Sequence, residues 1–157
     1  MAEVLSANRA AVLDKVLCVE EELASAVSVG HRAQEVDGQL FLSLRPRPGV
    51  ALARLEQRVD ELIDGVLARG VAQEHLARLA ARREGMLARG LDTVSARTST
   101  LGHYNLFRGD PGALAADVER HARVTTADVL SVLERYVAGR PRVALSTVPD
   151  GSPELAA

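Results

Sequence analysis

The sequence predicts an α+β fold, a two-layer sandwich in which several helices pack on one face of an antiparallel or mixed β-sheet. The order of the elements indicates this, because a helix, two strands, several helices and a final strand follow one another without βαβ alternation. The 157 residues are 47% hydrophobic and 25% charged, which is typical of a globular domain that forms its core without disulfides. We expect one domain over residues 1–149 and a flexible tail over residues 150–157.

The first elements are a helix and a hairpin. Residues 2–19 predict an amphipathic helix with an apolar stripe at the 3.6-residue period. Residues 23–33 alternate with period two, and so does the run that contains Leu40, Leu42 and Leu44, so both segments predict strands. The pair Asp37-Gly38 between them tolerates positive φ and predicts a tight antiparallel turn. The stripe of the first helix is formed by Val4, Leu5, Val12, Leu13, Val16 and Leu17.

Two longer helices follow the hairpin. Apolar residues recur at three- and four-residue steps from Leu52 until Gly70, where we expect a left-handed cap. A further helix begins near Ala72. Gly85 and Gly90 lie within it, and since each costs about 1 kcal/mol relative to alanine, we expect a bend or a break there.

Two short helices and a closing strand complete the chain. Asp110 and Pro111 have the pattern of an N-cap followed by a first helical residue, and residues 125–128 have the pattern of a capping box. Gly139 is expected to end the last helix. Residues 142–148 predict a closing strand.

Composition argues against two classes of partner. The net charge of −2 gives no basic excess for binding nucleic acid, and no apolar run approaches the roughly 20 residues that cross a bilayer. The N-terminus has no signal-peptide pattern, so we expect a cytoplasmic protein with no nucleic-acid or membrane partner.

Local motifs predict neither a catalytic nor a metal site. The four histidines lack the spacing of common zinc motifs, and residues 71–75 match only the last two letters of H-x-x-E-H, so His75 is interpreted as part of a solvated helix N-terminus. Three glutamates follow Cys18 and would raise its pKa, which favours a packed cysteine over a nucleophile. We therefore expect no cofactor held by this chain.

Several segments, in their order and spacing, resemble the non-catalytic C-terminal homologous domain of the insulinase-like zinc metallopeptidases, which include pitrilysin and the mitochondrial processing peptidases. The resemblance covers nearly the whole chain. Ala72 stands where the family has a capping threonine. The segments are Gly70–Leu76, Tyr104–Pro111, Val124–Val129, Tyr136 and Arg142–Pro149.

The resemblance implies a role in the wall of a peptidase chamber. In that family one domain or subunit carries zinc on H-x-x-E-H, and a similar one opposes it and grips an extended peptide. The family's grip pattern, Leu-Arg-x4-Leu-x-Tyr, aligns with residues 17–25, so Cys18 and Ser25 replace the arginine and the tyrosine. Zinc would then act only through a partner domain or subunit.

The resemblance also implies that the family's first strand, helix and strand are missing before Met1. Either the chain is a fragment or truncated reading frame, or another chain completes the sheet. Sequence reasoning leaves both open.

Three functional hypotheses follow. The first is a non-catalytic, pseudoenzyme-like domain that forms the chamber wall or partner subunit of a zinc metallopeptidase and so takes part in proteolysis. The second is a stand-alone, homo-oligomeric interaction module that kept the fold and lost peptide binding. An independent enzyme is the least favoured, because no acid, base or nucleophile constellation can be assembled.

Overall fold

The computed structural model describes residues 1–148. It divides into two compact units, residues 1–71 together with residues 129–148, and residues 72–128. The α+β class is confirmed: the described residues form one two-stranded antiparallel sheet and a set of helices. The expected tail lies outside the described residues, and the single-domain count stays a prediction.

The N-terminal helix is shorter than predicted. Helix α1 spans Ala2–Leu5, and a π-helix spans Asp14–Glu20, so the prediction of one continuous helix over residues 2–19 is wrong. The side chain of Asn8 accepts a hydrogen bond from the backbone N–H of Ala10 at 2.8 Å. Such a local bond competes with helical backbone pairing and explains the interruption. The buried residues of this segment are Val4, Leu5, Ala11, Leu13 and Leu17.

The hairpin forms as expected. Strand β1 (Ala24–Ala33) pairs antiparallel with β2 (Gly38–Pro46), with Val27 opposite Leu44 and Val29 opposite Leu42. These apolar residues alternate with exposed ones along each strand. One face of the sheet is therefore half-buried and the other faces solvent.

The turn of the hairpin differs from the prediction. Residues 34–37 form a four-residue loop, in which the N–H of Gln34 donates to the carbonyl of Asp37 at 2.9 Å. Neither Asp37 nor Gly38 has a positive φ. The longer loop reverses the chain without the left-handed backbone that a two-residue turn requires.

Helix α2 spans Leu52–Arg69 and carries much of the core of the first unit. It ends at Gly70, as expected, but the left-handed cap predicted there does not form: the φ of 78° is combined with a ψ of −172°, an extended conformation that glycine readily adopts. Its apolar periodicity is the 3.6-residue repeat seen in the sequence. The buried residues of α2 are Leu55, Val59, Leu62, Ile63 and Val66.

The predicted closing strand is wrong. Residues 142–148 have no strand pairing, although Arg142 at their start is bound by Glu56 and Asp60 of α2. Val143 and Leu145 are 97% and 91% exposed. A strand needs backbone partners, and none of the described residues supplies a third strand for this segment.

The second unit is helical. Helix α3 (Gln73–Gly90) runs through Gly85 without a break, so the expected bend there is wrong, and the helix ends at Gly90. Helix α4 spans Val94–Arg108 and α5 spans Leu114–Ala122, with a 3₁₀ turn at Pro111–Ala113 between them.

The predicted helix starts are confirmed. The carboxylate of Asp110 accepts from the N–H of Gly112 at 2.8 Å. Thr125 and Asp128 form the reciprocal capping box at the start of helix α6 (Thr126–Tyr136): the carboxylate of Asp128 accepts from the Thr125 N–H at 2.8 Å, and the Asp128 N–H donates to the Thr125 hydroxyl at 3.2 Å. The helix ends three residues before Gly139, which has a φ of 62°.

Candidate functional site

Cys18 lies half-buried in the π-helix. Burial and the neighbouring carboxylate of Asp14 raise the pKa of its thiol, while the guanidinium of Arg47 opposes them. The sequence also predicted a raised pKa for Cys18. The causes, however, are burial and Asp14 rather than the three glutamates that follow Cys18. At neutral pH the side chain is a neutral thiol.

Ser25 lies on β1 at a bulge, where the register shifts between Ala24 and Ala26. Its side chain is exposed, and its hydroxyl donates to the backbone carbonyl of Arg45 at 3.2 Å. The bulge thus turns a short hydroxyl toward the neighbouring strand.

The end of β2 connects the two predicted grip positions. Arg45 accepts the hydrogen bond of Ser25, and Arg47 acts on the thiol of Cys18. Arg47 also pairs with Glu22 at 3.3 Å, and its N–H donates to the carbonyl of Leu23 at 2.9 Å. We call the residues Cys18, Ser25, Arg45 and Arg47 the β2-end cluster.

The backbone beside this cluster is tightly turned. Glu22 has a φ of 51°, an uncommon conformation for a residue with a side chain, and leads from the π-helix into β1. The preceding Glu21 is bound by Arg58 of α2, whose Nε lies 2.9 Å from the carboxylate. Hydrogen bonds from Arg58 are the main cause that lowers the pKa of Glu21. This ion pair fixes the entry to β1 against α2.

The second unit contains a cavity of about 360 Å³ between α3, α4 and α5. Alanine, leucine and valine side chains form most of its wall, and Tyr104 and Asp117 meet at its edge. The Tyr104 hydroxyl donates to Asp117 at 3.1 Å, and Arg120 also pairs with that carboxylate. Burial and the bond to Asp117 raise the pKa of Tyr104.

No sequence pattern singles out this cavity. The i, i+3 spacing of Asp117 and Arg120 in the sequence indicates an ion pair on one helix, and this part of the cluster could have been predicted. The approach of Tyr104 depends on how α4 packs, which no local pattern reports.

The chain resembles several solved peptidase structures. A zinc protease homologue from Bordetella pertussis Tohama I matches 88% of this chain and 75% of its own at a TM-score of 0.75 and 18% identity. A protease from Helicobacter pylori matches 86% of this chain at a TM-score of 0.74 and 17% identity. A peptidase M16 inactive domain from Pseudomonas fluorescens matches 87% at a TM-score of 0.71 and 16% identity. The chain has the M16 peptidase fold.

The M16 fold confirms the insulinase-like resemblance at the level of structure. No protein-family model and no curated protein matches the sequence. This chain spans 32% of the length of both the Helicobacter and the Pseudomonas chains.

The M16 fold raises the question of zinc, and the described side chains do not fit a zinc site. Within residues 1–148, no group of three or more His, Cys, Asp or Glu side chains is arranged to hold a metal ion. Likewise, no helix in that range is long and apolar enough to cross a bilayer.

His75, the near miss to the zinc motif, lies at a helix N-terminus that is exposed as predicted at residues 72–74, but its own side chain is only partly exposed. Its Nε2 is buried and has no hydrogen-bond partner among the described residues. Burial, with a contribution from the charge of Arg78, lowers its pKa. His75 is interpreted as a neutral packed imidazole at the start of α3.

Proposed function

We propose that this chain is a non-catalytic peptidase domain that forms the substrate-facing wall of an M16-type chamber and works beside a zinc-bearing domain or subunit. The observation that carries the proposal is the M16 fold, which extends over 87% of the chain in the match to a peptidase M16 inactive domain. The described side chains offer no cluster suited to zinc, so the metal and its activated water would come from the partner.

The β2-end cluster is proposed to contact the peptide. The guanidinium that position 18 lacks lies close by on Arg47, near enough to act on the Cys18 thiol. Arg47 is partly exposed, with 44% of its side-chain surface accessible, so it can donate charge-assisted hydrogen bonds to peptide carbonyls or carboxylates.

The same cluster predicts a weak grip. A neutral thiol at position 18 cannot make the forked hydrogen bonds of a guanidinium, and the Ser25 hydroxyl is already occupied by the carbonyl of Arg45. We therefore propose that peptide binding by the isolated chain is weak and that the partner supplies most of the affinity. We also propose that this chain and its zinc-bearing partner act in the cytoplasm.

A second candidate is a self-associating interaction module. The observation that favours it is the sheet itself, because a two-stranded hairpin is marginally stable alone, and within residues 1–148 no third strand pairs with it. In this case the partner is another copy of the chain rather than a zinc-bearing domain.

The experiment restores both family side chains in a double-mutant cycle. Cys18→Arg should strengthen peptide binding by about 1.5–3 kcal/mol for each well-formed charged hydrogen bond, Ser25→Tyr should add a long neutral donor with a smaller gain, and the double variant should gain more than either single one. Affinity for an extended peptide library is measured by fluorescence anisotropy on all four proteins.

Matched controls use neighbouring positions outside the cluster. Val19→Arg and Ser28→Tyr add the same side chains to exposed sites on the π-helix and on β1. They should leave affinity unchanged. Equal affinity across a folded set of cluster variants would show that these positions do not face a peptide, and the interaction-module candidate would replace the first.

A further inference from the structure

Residues 142–148 have the composition of a β-strand, but no other strand pairs with them among the described residues. The sequence predicts a strand there, but Val143 and Leu145 are 97% and 91% exposed and the segment pairs with neither β1 nor β2. Aliphatic side chains in this state leave apolar surface exposed to water, which is unfavourable.

Its starting point is fixed. The guanidinium of Arg142 donates to Glu56 at 2.7 Å and to Asp60 at 2.6 Å, both on α2. These hydrogen bonds anchor the start of the segment to α2, while residues 143–147 after it are exposed.

The hairpin in the same unit offers a complementary edge. The outer edge of β1 is partly occupied, since the hydroxyl of Ser6 donates to the carbonyl of Val27 at 3.3 Å. In contrast, β2 has no strand on its outer side among the described residues, and Pro46 stands only at its end. Alternate residues of an antiparallel strand point their N–H and C=O groups to that edge.

The side-chain patterns also agree. Leu40, Leu42 and Leu44 alternate along β2 and form part of the half-buried face. Val143 and Leu145 alternate in the same way, so a single register can place all of these apolar side chains on one face of an enlarged sheet.

We infer that two copies of this chain associate by strand addition, with segment 142–148 of each copy pairing along the free edge of β2 in the other. Because each chain carries both the donor segment and the acceptor edge, the exchange is reciprocal and closes as a two-fold dimer. This inference rests on the self-association candidate and not on peptide binding, so it can hold or fail independently of the chamber-wall proposal.

The test measures the mass of the full chain by light scattering at micromolar concentrations. The wild type is expected at twice the 16.7 kDa of one chain. Leu145→Pro removes a backbone donor and Leu145→Asp adds a charge to the proposed apolar face, so both are expected at the mass of one chain. The control Leu106→Asp, on the exposed surface of α4, should remain a dimer.

Hydrogen exchange identifies which strands form the dimer interface. Amides of β2 and of residues 143–147 should become more protected as the wild-type concentration rises, and Leu145→Pro should abolish this effect. A monomeric wild type would overturn both the inference and the self-association candidate. A dimer that survives Leu145→Pro, or one that protects α4 instead of β2, would overturn the inference alone.

Discussion

Helices α2 and α4 have similar lengths but are stabilised in different ways. α2 has 18 residues, five of which are buried, with Leu55 only 2% exposed. α4 has 15 residues and no buried side chain, and Leu106 and Phe107 are 75% and 58% exposed. The first helix is stabilised by its apolar face, whereas the second is stabilised by its ends and by polar contacts such as the hydrogen bond from Tyr104 to Asp117.

The ends of α4 show how a helix persists without a buried face. The hydroxyl of Thr93 accepts from the N–H of Ala96 at 3.2 Å, and Gly109 closes the helix in the left-handed conformation at a φ of 68°. The guanidinium of Arg97 also donates to the carbonyl of Leu91 at 2.6 Å. Its apolar side chains therefore contribute little to the stability of the described fold.

The largest expected difference in stability is between an alanine substitution on the buried face of α2 and one on the exposed surface of α4. Leu55→Ala in α2 should lower the free energy of unfolding by about 2–5 kcal/mol, because it leaves a cavity in the core. Leu106→Ala in α4 removes the same atoms from an exposed site and should change it by less than about 0.5 kcal/mol. Urea denaturation followed by circular dichroism measures both, and a similar loss in the two variants would contradict the comparison.

A smaller effect is expected at the cap of α4. Thr93→Ala removes the side-chain bond to the first turn and should cost about 1 kcal/mol, measured as the opening free energy of the α4 amides by hydrogen exchange. The matched change is Ala72→Thr at the start of α3, where the N-cap has no side-chain hydrogen bond. It should stabilise α3, and a loss of protection there would count against the capping argument.

The smallest effect concerns the ion pair that ties α2 to the π-helix. Arg58 lowers the pKa of Glu21 from its ordinary value of 4.5, so the stabilisation is complete above about that pH and is lost as the pH falls through the lowered value. Glu21→Gln should cost less than about 1 kcal/mol at pH 7, since both side chains are about one-third exposed. Unfolding curves of the two proteins should converge on acidification. If the difference in the free energy of unfolding between the two proteins does not change with pH, the charge of Glu21 does not contribute to stability.

Local patterns predicted some elements and missed others for physical reasons. The stripe of α2, the capping box of Thr125 and Asp128, and the stop at Gly70 were readable, because each depends on residues within about one or two helical turns. The break at Asn8 was missed, because a side-chain hydrogen bond to the backbone competes with a favourable helical stripe. Gly85 was expected to interrupt α3, but its cost is small enough for the rest of an 18-residue helix to offset.

The candidate site was only partly predictable. The sequence pattern singled out Cys18 and Ser25 through a family resemblance, and their role as grip positions stays a prediction. The approach of Arg45 and Arg47 was not foreseen, since it depends on the hairpin register and on the bulge at Ser25. The cluster of Tyr104 with Asp117 likewise joins α4 and α5 across 13 positions of sequence.

By itself, the sequence determined the α+β class, most helix limits and the hairpin, because these follow from apolar periodicity and from short-range hydrogen bonds. Only the tertiary structure decided that, within residues 1–148, no strand pairs with residues 142–148 or with the outer edge of β2. A strand forms only through hydrogen bonds to a neighbouring strand. The pattern Arg142-Val143-Ala144-Leu145 therefore indicates a segment that is able to pair, not one that is paired. Whether that capacity is used depends on which backbone groups lie beside it in space.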